Sequence, residues 1–214
     1  MRKWLALGAI LLLLSSCGVE WLDRLPYAGP VEISIDQGKF LPGTEIQYLG
    51  KTEDGAQVSI DGKLANKKIG DSLDWKADMA SGVSVDQTLR VALISEDTLY
   101  TAGTVRVIVD NPRPQPEPVN SAAPVSFGLP VGYHVEKGKA IPGTTITYLG
   151  KTELGAHLGN IEGYAYRKLG DSITWEGRLR PDIWLELDLR TVLITENQLD
   201  VVGTVDLWIT PTGP

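Results

Sequence analysis

An eleven-residue stretch that begins at Gly43 returns almost unchanged at Gly143. The two copies read GTEIQYLGKTE and GTTITYLGKTE. They lie inside longer repeats, residues 31–112 and 131–212, which align at a constant offset of 100 residues without a gap and are identical at 30 of 82 positions. A repeat of this length predicts that the chain folds as two copies of one unit of about 80 residues.

Each repeat alternates apolar and more polar residues with the two-residue period of a half-buried strand. In the first repeat Val105, Val107 and Val109 follow this alternation, and turn-forming pairs such as Asp54-Gly55 separate the apolar runs. We expect about six strands per repeat, which in the first fall near residues 31–36, 44–52, 55–60, 68–78, 83–94 and 98–109. This pattern predicts an all-β protein with two tandem small antiparallel β-sandwiches, or two small β-barrels.

Each repeat also has a tryptophan in a mid-domain strand, Trp75 or Trp175, and a last strand that begins Gly-Thr-Val. These features loosely resemble an immunoglobulin domain, but the cysteine pair of such domains is missing because the chain contains one cysteine. Both tryptophans are in phase with the apolar residues of their strands. We therefore expect them in the core.

The N-terminus has the plan of a secretory signal peptide, with Arg2 and Lys3 followed by an apolar run at residues 4–14. That run is too short to span a bilayer as a helix. Residues 14–17, Leu-Ser-Ser-Cys, resemble the lipobox of bacterial lipoproteins. The resemblance implies cleavage before Cys17 and attachment of lipid to its sulfur, which would hold the mature protein at a membrane outside the cytoplasm. The alternative is an ordinary signal peptide with an incidental cysteine.

These features divide the chain into five segments. They are a signal peptide at residues 1–16, a lipidated N-terminus and tether at 17–30, a first β-domain at 31–110, a proline-rich linker at 111–130 and a second β-domain at 131–212. In the tether, Trp21, Leu22 and Tyr27 either rest at the lipid interface or pack on the first domain. The alternating prolines of the linker favour an extended spacer, and a docking segment for a proline-recognising domain is the alternative.

The second repeat contains more aromatic residues than the first. Tyr164, Tyr166, Trp184 and Trp208 stand where the first repeat has residues that are not aromatic. Trp184 shares its phase with charged residues of its strand, so we expect it to face outward. Outward rings form stacking platforms for sugars or anchors for a partner protein, which makes these four residues the candidate contacts. Alternatively, they fill the interface between the repeats or cover a sheet edge.

Two motifs look like functional signatures but lack their essential partners. Gly-Lys-Thr at residues 50–52 and 150–152 is not preceded by the glycine that a phosphate-binding loop requires. Gly-Asp-Ser-Leu at residues 70–73 is similar to the serine motif of the GDSL hydrolases, which take their base from a late Asp-x-x-His motif. The two histidines, His134 and His157, do not stand in such a motif, and a serine without a base is not a nucleophile.

Composition argues against several other classes of function. The formal net charge is −7 and neither repeat is basic, whereas nucleic-acid-binding proteins normally present a basic face. Two histidines and one cysteine do not form a zinc site of known spacing, and no calcium-binding loop is present. We therefore expect no metal, no cofactor, no nucleotide and no nucleic acid.

The sequence thus predicts a membrane-anchored, extracytoplasmic lipoprotein that acts as a non-enzymatic binding or structural module of the cell envelope. Its expected partners are the membrane, through lipid on Cys17, and a protein or glycan of the envelope. One alternative is a carbohydrate-binding surface module. Another is a small cell-envelope hydrolase, which would need two carboxylates in one cleft, or a base beside Ser72 or Ser172.

Overall fold

The computed structural model describes residues 23–212, and their regular structure consists of β-strands in antiparallel sheets. The prediction of an all-β protein is confirmed. Within the described range no helix is both long enough and apolar enough to cross a membrane.

The first half of the described chain contains seven strands. They are β1 (Arg24–Asp36), β2 (Ile46–Thr52), β3 (Gly55–Ile60), β4 (Lys63–Lys67), β5 (Trp75–Ala80), β6 (Val83–Ile94) and β7 (Thr98–Asp110). A four-stranded sheet has the order β1-β7-β6-β5, and a three-stranded sheet has the order β2-β3-β4.

The second half repeats this plan with one additional short strand. Its strands are β8 (Gln115–Pro116), β9 (Val125–Glu136), β10 (Thr147–Thr152), β11 (Gly155–Gly159), β12 (Tyr166–Arg167), β13 (Ser172–Arg180), β14 (Ile183–Ile194) and β15 (Gln198–Ile209). The large sheet has the order β8-β13-β14-β15-β9, and the small sheet has the order β10-β11-β12.

The strand pattern differs from the predicted one between β3 and β5. A tight turn at Asp61 and Gly62, both with positive φ, adds a hairpin strand, β4. The next predicted strand is interrupted because the Asp71 carboxylate accepts a hydrogen bond from the Lys68 amide at 2.8 Å and closes a turn. As a result β5 begins only at Trp75.

The outer part of the first repeat has a core of its own. There the large sheet packs on the small sheet, and the buried residues are Ile35, Leu41, Ile46, Tyr48, Ala56, Val58, Leu73, Leu89, Val91 and Leu99. Trp75 is half-buried against this cluster, whereas Trp175 is buried in the core of the second repeat. The expected core position is therefore found for Trp175 and only in part for Trp75.

The inner ends of the two large sheets share a second core. Tyr27, Val85 and Val107 of the first repeat belong to the same buried cluster as Phe127 and Leu185 of the second. The hydrogen-bonded sheets therefore remain within their own halves of the chain, while the apolar core is continuous between them. We call this shared region the inter-repeat core.

Contacts across the inter-repeat core are reciprocal. A methyl group added at Gly43 would lie 3.4 Å from Cγ1 of Val125, and one added at the equivalent Gly143 would lie 3.3 Å from Cδ2 of Leu25. Each repeat thus places the same turn on the first strand of the other repeat.

The chain segments that leave the repeats also cross over. The Arg113 amide, just after the first repeat, donates to the Leu179 carbonyl at 2.8 Å, and the Thr212 amide, at the end of the second, donates to the Met79 carbonyl at 3.0 Å. Leu179 and Met79 are equivalent positions, so each repeat receives the C-terminal segment of the other.

The structure differs from two of the predicted segment boundaries. Residues 24–30, assigned to the tether, form the first half of β1, because Tyr27 is an inter-repeat core residue that is 1% exposed. Of the two placements expected for Tyr27, packing on the protein is therefore the one observed. Trp21 and Leu22 lie outside the described residues. The linker is shorter than predicted, since β8 pairs with β13 and β9 begins at Val125.

One glycine per repeat permits the close pairing of two neighbouring long strands, β6 with β7 and β14 with β15. A Cβ atom at Gly203 would collide with the Asp188 carbonyl oxygen and lie 2.9 Å from Leu189 Cα on the neighbouring strand. Gly103 meets Thr88 and Leu89 in the same way. Only a residue without a side chain fits at these two positions.

Candidate functional site

The four candidate aromatic residues fall into two separate groups. Trp184 and Trp208 are directly opposite each other on β14 and β15, whereas Tyr164 and Tyr166 lie at β12. Trp184 pairs with Arg178 near one end of β13, and the β12 region contacts Ser172 at the other end. Six residues of strand separate these points, which is about 20 Å at 3.3 Å per residue. The structure brings the residues together in pairs and does not form one surface from all four.

Tyr164 and Tyr166 form an aromatic cluster with His157, which we call the tyrosine cluster. The rings of His157 and Tyr166 are stacked, with centroids 4.8 Å apart and an interplanar angle of 21°. The Tyr164 ring is tilted by 59° against Tyr166 at 5.5 Å, and Tyr164 is 64% exposed. The cluster therefore presents one open ring on a stacked base.

Arg167 fixes the backbone beneath the tyrosine cluster. Its guanidinium donates from Nε to the Ser172 carbonyl at 2.8 Å and from one terminal nitrogen to the carbonyls of both Tyr164 and Tyr166. In the first repeat Lys67 makes the corresponding bond to the Ser72 carbonyl. This part of the scaffold is thus shared by the two repeats, although β4 has five residues and β12 has two.

The aromatic surface at this position is found only in the second repeat. The residues of the first repeat that correspond to His157, Tyr164 and Tyr166 are Gln57, Leu64 and Asn66. The two repeats share the bond that fixes the backbone here, and they differ in the side chains beside it. The aromatic side chains are therefore the feature that distinguishes the second repeat.

The tryptophan pair is partly covered by the linker. Trp184 and Trp208 are half-buried, and the Trp184 Nε1 atom donates to a carboxylate oxygen of Glu117 at 2.9 Å. Glu117 in turn lies 3.3 Å from Nε of Arg178. The prediction that Trp184 lies on the outward face of β14 is confirmed, since Glu186 on the same face is exposed. The indole N–H of Trp184, however, already has a partner within the chain.

Sequence reasoning missed a group of arginines at this end of the second repeat. Arg113, Arg178 and Arg180 line a cavity of about 390 Å³ between the linker and the end of β13. We call it the arginine cavity. A sequence signal existed: the second repeat has Arg178 and Arg180 where the first repeat has Asp78 and Ala80.

The residues of the two rejected motifs make structural contacts. The Lys51 ammonium of the Gly-Lys-Thr motif lies 2.8 Å from the Glu96 carboxylate, and Ser172 Oγ accepts a hydrogen bond from Arg190. His134 Nδ1 lies 2.8 Å from Asp200 on the adjacent strand. Among residues 23–212 there is no group of three or more His, Cys, Asp or Glu side chains that could hold a metal ion.

Cys17, the predicted lipid attachment site, lies outside the described residues. Comparison of the chain with protein-family models, curated proteins and solved structures found no similar family, protein or fold.

Proposed function

We propose that this protein is a lipid-anchored, extracytoplasmic binding module of the cell envelope, without enzymatic activity, that contacts its partner through the tyrosine cluster. The observation that carries the proposal is the exposed Tyr164 ring, which is 64% accessible to solvent and rests on Tyr166. A large exposed ring on a rigid base is typical of a contact residue, since aromatic side chains bury much area and lose little conformational freedom on binding.

The surroundings of the cluster support binding rather than catalysis. The Arg167 bonds hold the β12 backbone in place, so the ring positions are set before a partner arrives. Ser172, the nearest hydroxyl of the rejected hydrolase motif, interacts with the guanidinium of Arg190, which cannot act as a general base. A preformed ring surface of this kind suits a sugar ring or an apolar side chain of a protein.

Replacing Tyr164 with alanine is expected to weaken partner binding by about fivefold to thirtyfold, because removing an exposed contact ring typically costs about 1 to 2 kcal/mol. The partner would first be identified with a glycan array and with pull-downs from envelope extracts. The affinity of the variant would then be measured by titration calorimetry.

The matched control for this experiment is Leu64→Ala. Leu64 is the equivalent residue of the first repeat and is 67% exposed, so the substitution removes a similarly exposed apolar side chain at the matching position. Equal weakening by the two variants, or no weakening by Tyr164→Ala, would contradict a role for the tyrosine cluster.

The lipid anchor is proposed from the lipobox resemblance at residues 14–17. We expect wild-type protein isolated from cells grown with a tagged fatty acid to carry the tag, and isolated Cys17→Ala protein to carry none. The physical basis is that Cys17 is the only thiol in the chain. Since two or three acyl chains are needed for durable anchoring, Cys17→Ala should also move the protein from the membrane fraction to the soluble one. Unchanged labelling would exclude the anchor.

A further inference from the structure

The arginine cavity concentrates positive charge in an otherwise acidic protein. Three arginines are among the residues that line this open cavity of about 390 Å³, while the chain as a whole has a net charge of −7. A volume of this size is in the range of small-ligand sites. Like charges repel, so three arginines around one cavity need a compensating charge.

The chain itself supplies only part of that compensation. Arg178 is paired with Glu117 at 3.3 Å and also donates to the Gln115 side chain at 3.0 Å. Arg113 is exposed, and within the described residues its side chain has no hydrogen bond or ion pair. The nearby carboxylate of Asp110 is already paired with Arg24 at 3.3 Å.

Arg180 is the most constrained of the three arginines. One terminal nitrogen donates to the carbonyls of Asp110 at 2.6 Å and Asn111 at 3.4 Å, and the guanidinium packs against Gly82 of the first repeat. These partners are neutral, so they leave the positive charge uncompensated. Its Nε atom is buried and has no partner among the described residues. A buried donor without an acceptor is costly, so the chain satisfies the Arg180 guanidinium incompletely.

We propose that the arginine cavity binds a phosphate group, with Arg113, Arg178 and Arg180 as its cationic contacts. Phosphate suits this arrangement because it offers several acceptor oxygens and guanidinium groups bind such oxygens in pairs. This site is separate from the tyrosine cluster and does not depend on the proposed partner there.

The bound phosphate has two candidate sources, the headgroup of an anionic phospholipid and free phosphate in the medium. The amide of Asn111, which lines the cavity, donates at 2.6 Å to the carbonyl of Asp23, where the described chain begins. If Cys17 carries the proposed anchor, Asp23 follows it by six residues, so the chain holds Asp23 no more than about 20 Å from the membrane, and the source is the headgroup of an anionic phospholipid. Otherwise the source is free phosphate in the surrounding medium.

The first arm of the test uses inorganic phosphate. The full chain would be purified in an uncharged detergent and titrated with phosphate while phosphorus NMR follows binding. Because a charge-assisted hydrogen bond is worth about 1.5 to 3 kcal/mol, we expect Arg113→Gln to weaken binding by about tenfold or more, and Arg178→Gln to do the same. The control is Arg106→Gln, which removes one exposed arginine from β7 and should leave binding unchanged.

The second arm compares binding to phosphatidylcholine vesicles with and without phosphatidylglycerol. A preference for the anionic vesicles that Arg113→Gln abolishes and Arg106→Gln retains would identify a lipid headgroup. Arginine-dependent binding of inorganic phosphate without that preference would identify free phosphate. Wild-type protein that responds in neither arm, or equal losses in Arg106→Gln, would overturn the proposal, while the Cys17→Ala labelling experiment tests the anchor separately.

Discussion

Gly203→Ala is expected to lower the free energy of unfolding by about 3 kcal/mol or more, with the same result for Gly103→Ala in the other repeat. The new methyl group would overlap the carbonyl oxygen of Asp188, or of Thr88 in the first repeat, on the neighbouring strand. Backbone atoms cannot rotate away as a side chain can, so β14 and β15, or β6 and β7, must separate locally. Urea denaturation of the variants, followed by far-ultraviolet circular dichroism, measures the loss.

The matched control is Gly132→Ala on β9, directly opposite Val202 in the same sheet. A Cβ atom there would meet Val202 Cγ1 at 3.6 Å and the Val201 carbonyl oxygen at 3.8 Å, which are ordinary contacts. Alanine also reduces the conformational freedom of the unfolded chain. The free energy of unfolding of this variant should therefore equal that of the wild type or exceed it by up to about 1 kcal/mol. If Gly132→Ala lost as much stability as Gly203→Ala, the close approach at Gly203 would not be the cause.

Tyr27→Ala is expected to destabilise the protein by about 3 to 5 kcal/mol, the range for truncating a large ring in a core. Tyr27 is 1% exposed in the inter-repeat core, and its hydroxyl lies beside Gly143 of the second repeat. The cavity left by alanine would therefore weaken the packing between the two repeats. The measurement is again chemical denaturation, with a single cooperative transition at lower denaturant as the expected result.

Tyr27→Phe separates the ring from its hydroxyl. The Tyr27 hydroxyl is buried and has no hydrogen-bond partner among residues 23–212, so its removal should cost little at neutral pH. A loss as large as that of Tyr27→Ala would show that the hydroxyl, and not the ring, carries the effect.

The pH dependence gives a second readout for Tyr27. Burial raises the pKa of its hydroxyl, with a further contribution from Tyr133. Above about pH 10 the unfolded chain therefore loses this proton while the folded chain keeps it, and stability falls as the pH rises. Tyr27→Phe should reduce that alkaline loss of stability.

The repeat and the alternation along strands were sufficient to predict the all-β fold, because both are local patterns that packing preserves. Trp75 and Trp175 were placed in the core by the same reasoning, and the outward phase of Trp184 was also found. These properties depend on which side of a strand a residue occupies, and that is set by a period of two.

Contacts between distant segments could not be read in this way. Glu117 gave no sign that it would receive the Trp184 N–H, because the linker lies far from β14 in sequence. Tyr27 lay in a segment read as a tether, although Tyr27 and Phe127 extend the aromatic and apolar correspondence of the repeats toward the N-terminus. The arginine cavity depends on the linker returning to the edge of β13, which no local period reveals.

The reciprocal contacts of Gly43 and Gly143 have a consequence for the origin of the chain. Identical patches that meet each other are the mark of a homodimer with twofold symmetry. A single ancestral domain with an apolar inner face would have needed a second subunit to cover that face, and gene fusion through the linker would have made the pairing permanent. Once the two subunits were joined, each was free to diverge, which explains why one surface has tyrosines where its twin has leucine and asparagine.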